Sequence, residues 1–228
     1  MTFEELLKTI KISFKNVDLL HQAFYHRSYL NEAKHIHESN ERLEFLGDAV
    51  LSFLTSEFLY TKYPEYPEGT LTNIRSSLVK TTSLSRIAQD LELGTLLFLS
   101  HGEEDSGGRT NTSLLADAFE ALLGAIYIDQ GIVAAKQFLS VFLFPHAAEI
   151  VEKKMYVDYK SLLQEIIQEE SRISPTYQVI KSEGPDHAKT FWMEAVAASR
   201  SLGTGSGRSK QEAEQEAARN SLEKMRRI

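Results

Sequence analysis

The chain has 228 residues, 25 Lys+Arg against 32 Asp+Glu for a formal net charge of -7, 42% hydrophobic residues and no cysteine. That length accommodates one large or two modest domains at roughly 100 to 200 residues each. The lack of cysteine excludes a disulfide framework, a thiolate zinc site and a thiol nucleophile, and fits a reducing, cytoplasmic compartment.

The N-terminal stretch MTFEELLKTIKISF has acids in its first turn and no sustained apolar run, unlike a signal or transit peptide. No stretch approaches the roughly 18 uninterrupted apolar residues of a membrane span, so no membrane is expected. From 1 to 150 the apolar residues fall at helical spacing in successive blocks: Leu6 and Ile10; Leu19, Leu20 and Phe24; Leu43, Leu46, Val50, Leu54 and Phe58; Leu84, Ile87 and Leu91; Leu114, Leu115, Phe119, Leu122 and Ile126; Val133, Phe138 and Phe142. This pattern predicts an all-α domain over 1–150, broken at Pro64 to Gly69, Gly94, Gly102 to Thr112 and Gly131. Ser39-Asn40 and Thr112-Ser113 are the expected N-caps of the two most informative helices.

A charged stretch, Glu149 to Lys154, marks a linker set at 151–157. The unit that follows, 158–228, opens with a predicted helix over 159–170 whose apolar face is Leu162, Leu163, Ile166 and Ile167. Alternating runs at Thr176 to Ile180, Thr190 to Val196 and Ser199 to Gly205 predict three strands, and Ser209 caps a last helix lined by Ala213, Ala217, Ala218 and Leu222. The order α-β-β-β-α makes this an α+β domain. Charge changes at the same place: residues 1–150 hold 12 basic and 20 acidic residues, residues 151–228 hold 13 and 12. Over the whole chain the acidic balance argues against a nucleic-acid partner, since phosphates select basic surface.

The densest chemical signal is carboxylates where a core should be. Glu44 and Asp48 stand at i and i+4 among Phe45, Leu46, Val50 and Leu51; Asp117 and Glu120 stand at i and i+3 in the apolar run Leu114 to Ile126. One such pair reads most simply as a solvated stripe. The second lies in a helix with almost no other charge, where carboxylates need compensation, and a divalent cation supplies it. Small residues around them, Gly47, Ala49, Ala116, Ala118, Ala121 and Gly124, would let two such helices approach. An all-oxygen site suits Mg²⁺ or Mn²⁺ and metal-assisted hydrolysis. Neither acidic helix carries the Glu-x-x-His of a di-iron bundle, Gly203 to Gly207 is neither a P-loop nor a dinucleotide fingerprint, and His35 and His37 read as a solvated loop.

At these residues the chain resembles the ribonuclease III family, bacterial double-stranded-RNA endonucleases. Asn40 to Leu51 is similar to the family's nuclease signature, and Gly107-Gly108-Arg109 with Ser113 to Ala121 to its second acidic block. His26 to Tyr29, Pro67-Glu68-Gly69 and Tyr127 to Gly131 match further landmarks, and the chain from Asp158 onward resembles a double-stranded-RNA-binding domain. The resemblance implies that Glu44, Asp48, Asp117 and Glu120 form a Mg²⁺ site, with Asp48 and Glu120 most directly tied to catalysis and Glu41 and Glu68 as supporting acids. It also implies a homodimer that cuts both strands of duplex RNA, leaving 5′-phosphate and 3′-hydroxyl ends with a short 3′ overhang.

In the second domain, Gln164 and Gln168 would meet a minor groove, His187 in the loop Gly184 to Lys189 would meet the next, and Arg208, Ser209 and Lys210 would contact phosphates. The family usually has a second Lys where this chain has Gln211, which predicts weaker binding by this domain and a shallower salt dependence. A non-catalytic RNA-binding protein on the same scaffold is the alternative, and the intact acidic quartet speaks against it.

Overall fold

In the computed structural model, which describes residues 1–33, 35–185 and 188–228, the chain forms two compact units, 1–156 and 157–228. The first is helical: α1 (Phe3–Ile10), α2 (Val17–Gln22), α3 (Glu41–Lys62), α4 (Glu68–Val79), α5 (Thr81–Asp90), α6 (His101–Asp105), α7 (Thr112–Gln130), α8 (Ile132–Phe142) and α9 (His146–Glu152). The second is α10 (Tyr159–Ser171), β1 (Thr176–Glu183), β2 (Thr190–Ala197), β3 (Arg200–Gly207) and α11 (Lys210–Lys224), the expected all-α and α+β classes.

Helix α7 is the axis of the first unit. Ten of its residues are buried, among them Leu115, Ala118, Phe119, Leu122 and Ile126, and it packs along α3 and α5. An apolar helix of this kind is stable only when surrounded, which is why its neighbours present Leu51, Leu54, Leu84 and Ile87 to it. Asn111 is its N-cap, accepting from the N–H groups of Ser113 (2.9 Å) and Leu114 (3.3 Å). The expected cap at Thr112-Ser113 is thus one residue late, because the Asn amide oxygen already meets the second and third orphan donors. Ser39 and Asn40 do precede α3, but Asn40 makes no side-chain cap; the Ser39 hydroxyl oxygen accepts from Glu41 N–H at 3.3 Å. Within the stretch read as a break at Gly102 to Thr112, α6 forms a short turn of helix capped by Ser100. Helix α9 buries Ala147 and Ile150 in the same core.

In the second unit the three strands are antiparallel in the order β1-β2-β3, with Val179 opposite Met193 and Met193 opposite Gly205. Strand β3 starts at Arg200, a residue after its expected start, because Ala198 and Ser199 both take positive φ to turn the hairpin. Period-2 alternation on β2 turns Met193, Ala195 and Ala197 inward against Leu163 and Ile167 of α10 and Ala213, Ala217 and Leu222 of α11. The Gly203–Gly207 stretch has a packing purpose: a Cβ on Gly205 would stand 2.2 Å from Ala217 N, so the bare strand lets α11 lie directly on it.

Candidate active site and RNA-binding face

The site is made where α3 crosses α7. At Gly47 an added Cβ would lie 1.9 Å from the Glu120 carbonyl oxygen, and at Gly124 2.2 Å from that of Leu43. Two glycines facing across the crossing bring backbones into contact that any side chain would hold apart, as the small-residue pattern implied. The acids one turn away on each helix are then carried toward one point.

Glu44, Asp117 and Glu120 each bring a carboxylate oxygen within 4.8 Å of the others, and all three are half-buried. Asp48, one turn beyond Glu44, is exposed and stands outside that trio, but its charge still acts on both Glu44 and Glu120. Burial raises the Glu44 pKa, helped by Asp117, Glu41 and Asp48. Burial also raises Asp117, with His26 acting in the opposite direction. Glu120 responds most: burial, then Asp48, Glu44 and Asp117, push its pKa up to about 8. Like charges this close do not all stay ionised without a counter-charge. The donors are all carboxylate oxygens, with no thiolate or imidazole in the trio, so the residues fit a hard divalent cation.

The supporting acids divide. Glu41 opens α3 near Glu44, accepts from the Ser39 hydroxyl at 2.8 Å and pairs loosely with Arg27 at 3.7 Å. Glu68 opens α4, accepts from the Thr72 hydroxyl at 3.0 Å and lines a separate cavity of about 570 Å³ with Tyr60, Tyr63, Tyr66 and Arg75. Within one chain it is not brought to the carboxylate trio.

Three residues given no individual role from the sequence prove to organise this unit. Arg109 ties the loop before α6 to the approach of α7, donating from Nη1 to the carbonyls of Gly94 (3.1 Å) and Leu97 (2.9 Å) and from Nε to Glu104 (2.6 Å). Asp129, near the end of α7, accepts from the N–H groups of Lys15 and Asn16, both at 2.8 Å. His26 is held by a relay, its ring Nδ1 lying 2.8 Å from the Ser28 hydroxyl, whose oxygen accepts from Ser100 N–H at 3.0 Å. The only signal for the three was their place in the matched landmarks, because their partners are distant in sequence.

In the second unit, Gln164 and Gln168 are exposed on one face of α10, and Gln168 donates to the Ser174 hydroxyl at 2.8 Å. Arg208, Ser209 and Lys210 are exposed at the start of α11. Ser209 caps that helix by accepting from Glu212 N–H at 3.1 Å, while the Glu212 carboxylate accepts from Arg208 N–H at 2.9 Å. His187 lies outside the described residues. Among the described residues no helix is long and apolar enough to cross a membrane.

A helical unit whose half-buried carboxylate trio fits a divalent cation is followed by an α-β-β-β-α unit with a polar helix face, and comparison with known proteins gives each unit a family. Residues 16–147 match the Ribonuclease-III-like family and residues 159–225 the double-stranded RNA binding motif. Ribonuclease 3 of Bacillus velezensis is 45% identical over 99% of this chain and 90% of its own length, and that of Enterococcus faecalis 46% identical over 96% and 95%. The nuclease domain of ribonuclease III from Campylobacter jejuni superposes with a TM-score of 0.59 at 38% identity, covering 63% of this chain and 99% of that domain. The chain belongs to the ribonuclease III family. It is an endonuclease acting on double-stranded RNA, it binds duplex RNA through its second unit, and its family implies a divalent metal.

Proposed function

We propose that this protein is a Mg²⁺-dependent endoribonuclease, active with Mn²⁺ as well, that works in the cytoplasm as a homodimer. It cuts both strands of duplex RNA, leaving 5′-phosphate and 3′-hydroxyl ends with a short 3′ overhang, and so processes ribosomal RNA precursors and some messenger and transfer RNAs. Residues 1–150 are the endonuclease domain, 158–228 the RNA-binding domain, and 151–157 the linker.

The observation that carries this reading is the carboxylate trio with Glu120 raised to about 8. Glu44, Asp117 and Glu120 would hold the ion, which when bound supplies Lewis acidity at a scissile phosphate. Asp48, exposed beside them, is the carboxylate able to accept a proton from the water that attacks phosphorus. Glu41 and Glu68 border the path of the duplex. Gln164, Gln168 and His187 read minor grooves, and Arg208, Ser209 and Lys210 hold phosphates at the N-terminus of α11.

The homodimer is supported by α3, where Phe45, Phe53 and Tyr60 are 81%, 60% and 75% exposed. Large aromatics lined up on water-facing helix surface are costly in a monomer. The Campylobacter jejuni nuclease domain also has a region involved in dimer formation.

The test is a labelled RNA duplex incubated with Mg²⁺, Mn²⁺ or chelator, with end-group analysis of the products and sedimentation of the protein. Two-strand cuts with the stated ends, lost in chelator, from a species of twice the chain mass are expected. Metal-independent cutting, or a monomer that cuts both strands equally well, contradicts the reading.

A further inference from the structure

We propose that Glu212 is an internal rival of the duplex: its carboxylate occupies the backbone at the start of α11 and holds down the affinity of the second unit for RNA phosphate. This rests on the reading of Arg208, Ser209 and Lys210 as phosphate contacts.

Glu212 is the third residue of α11, and both its backbone and its side chain turn back on the residues before the helix. Its N–H donates to the Ser209 hydroxyl oxygen at 3.1 Å, and its carboxylate accepts from Arg208 N–H at 2.9 Å. Gly207 brings the end of the strand close enough for this clasp: a Cβ there would stand 2.6 Å from both Glu212 Cβ and Ala213 N.

The clasp is the first rung of a ladder, so the carboxylate is held in register. One turn on, Glu216 accepts from Ser206 N–H and, at 3.1 Å, from the Ser206 hydroxyl; a turn further, Asn220 Nδ2 donates to the Thr204 carbonyl at 2.8 Å. Residues 212, 216 and 220 thus meet 208, 206 and 204. Four helical residues advance about 6 Å and two strand residues about 6.7 Å, so successive rungs stay aligned.

A phosphate would use the same end of the helix. Free N–H groups at a helix N-terminus favour an anion, and a hydroxyl whose oxygen accepts keeps its hydrogen to donate to one. Arg208 and Lys210 are exposed on either side of Ser209. Glu212 takes the Arg208 N–H and leaves residues 208–212 with two cations against one acid. An arriving phosphate meets a like charge that it cannot move aside without breaking the first rung. Residues 151–228, at 13 basic against 12 acidic, have little other charge to outweigh it. An exposed charge acts weakly, so the effect is a few-fold in affinity and not orders of magnitude.

Equilibrium binding of the full chain to a labelled RNA duplex, in chelator so that no cutting occurs, tests this. Glu212→Gln keeps an oxygen for Arg208 N–H and removes the charge. It is expected to bind about 3-fold to 5-fold tighter than wild type, with the gain shrinking at high salt. Glu212→Ala removes the rung as well and is expected to tighten too; it is the variant to rely on should the first fail to fold. Glu216→Gln makes the same charge change one turn further from the helix start and is expected to gain less than about half as much. Unchanged affinity of Glu212→Gln, weaker binding by Glu212→Ala, or an equal gain by Glu216→Gln overturns the proposal. The double variant Arg208→Ala with Lys210→Ala separates the two claims, with a loss of about 10-fold expected. If it loses affinity while Glu212→Gln binds as wild type, only the role of Glu212 is overturned; if the double variant itself binds as wild type, the reading of this helix start as a phosphate contact fails.

Discussion

Gly47 of α3 and Gly124 of α7 face each other at the helix crossing, with Gly124 N only 3.2 Å from where a Gly47 Cβ would stand. The carboxylate trio depends on that contact, since Glu44 and Glu120 reach one another only because these backbones touch. Gly47→Ala, whose Cβ meets the Glu120 carbonyl at 1.9 Å, is expected to destabilise the protein by about 1–3 kcal/mol and to weaken divalent-cation binding. Gly69→Ala on α4, with nothing within 4 Å, should be neutral or stabilise by up to about 1 kcal/mol. Thermal melts of both variants, with and without Mg²⁺, make the comparison.

Glu120 sets a pH dependence with a definite sign. Its pKa rises from 4.5 to about 8, so the metal-free folded state holds more protons than the unfolded chain across that window. The Glu120 contribution to stability is therefore greatest at low pH and falls as pH rises toward 8. A cation reverses this, because it binds the ionised trio. At pH 7 cation binding should release roughly one proton, and affinity should climb with pH and level off above about 8. Calorimetry in buffers of different ionisation enthalpy counts that proton, and Glu120→Gln should abolish the release.

Asp129 gives the opposite sign in the same unit. Burial alone would raise its pKa, but donors from Gln130, Lys15 and Asn16 outweigh burial and hold it below 3.8. Its stabilisation is present above the unfolded value and lost as pH falls through the lowered folded one. Asp129→Asn leaves one of the two backbone donors facing an amide NH₂, and is expected to cost about 1–2 kcal/mol in urea unfolding at pH 7. The gap from wild type should narrow as pH falls below the ordinary Asp range.

Duplex affinity is tuned at the start of α11. Gln211 is exposed in the first turn of this helix, next to Lys210. Gln211→Lys is expected to tighten duplex binding and to steepen the salt dependence by about one unit of slope. Unchanged affinity at several salt concentrations would show that this position does not meet phosphate.

Much of the fold and of the site is legible in the sequence. Carboxylates inside the apolar run of α7 and glycines at matching places on two helices pointed to a crossing with a cation, and alternation identified the sheet. Whole-chain charge misled, because the acids are concentrated in the helical unit, where three of them converge. What stayed hidden depends on long-range contact. That Asp48 stands outside the trio is not readable from its i, i+4 spacing with Glu44. The five-residue α6 is too short to show a period, and the Ser100 to His26 relay leaves no local pattern. The Asn111 cap is not legible in the sequence because three successive polar residues can each cap, and only geometry selects one.

The most direct test of the central claim is cleavage of a long RNA duplex in Mg²⁺ by wild type and Glu120→Gln, with duplex binding measured alongside. The account predicts that the variant still binds the duplex while its cleavage rate falls at least about 100-fold, the order expected when an essential electrostatic group is removed. A variant that binds and cuts as fast as wild type would contradict the assignment of the carboxylate trio as the catalytic metal centre.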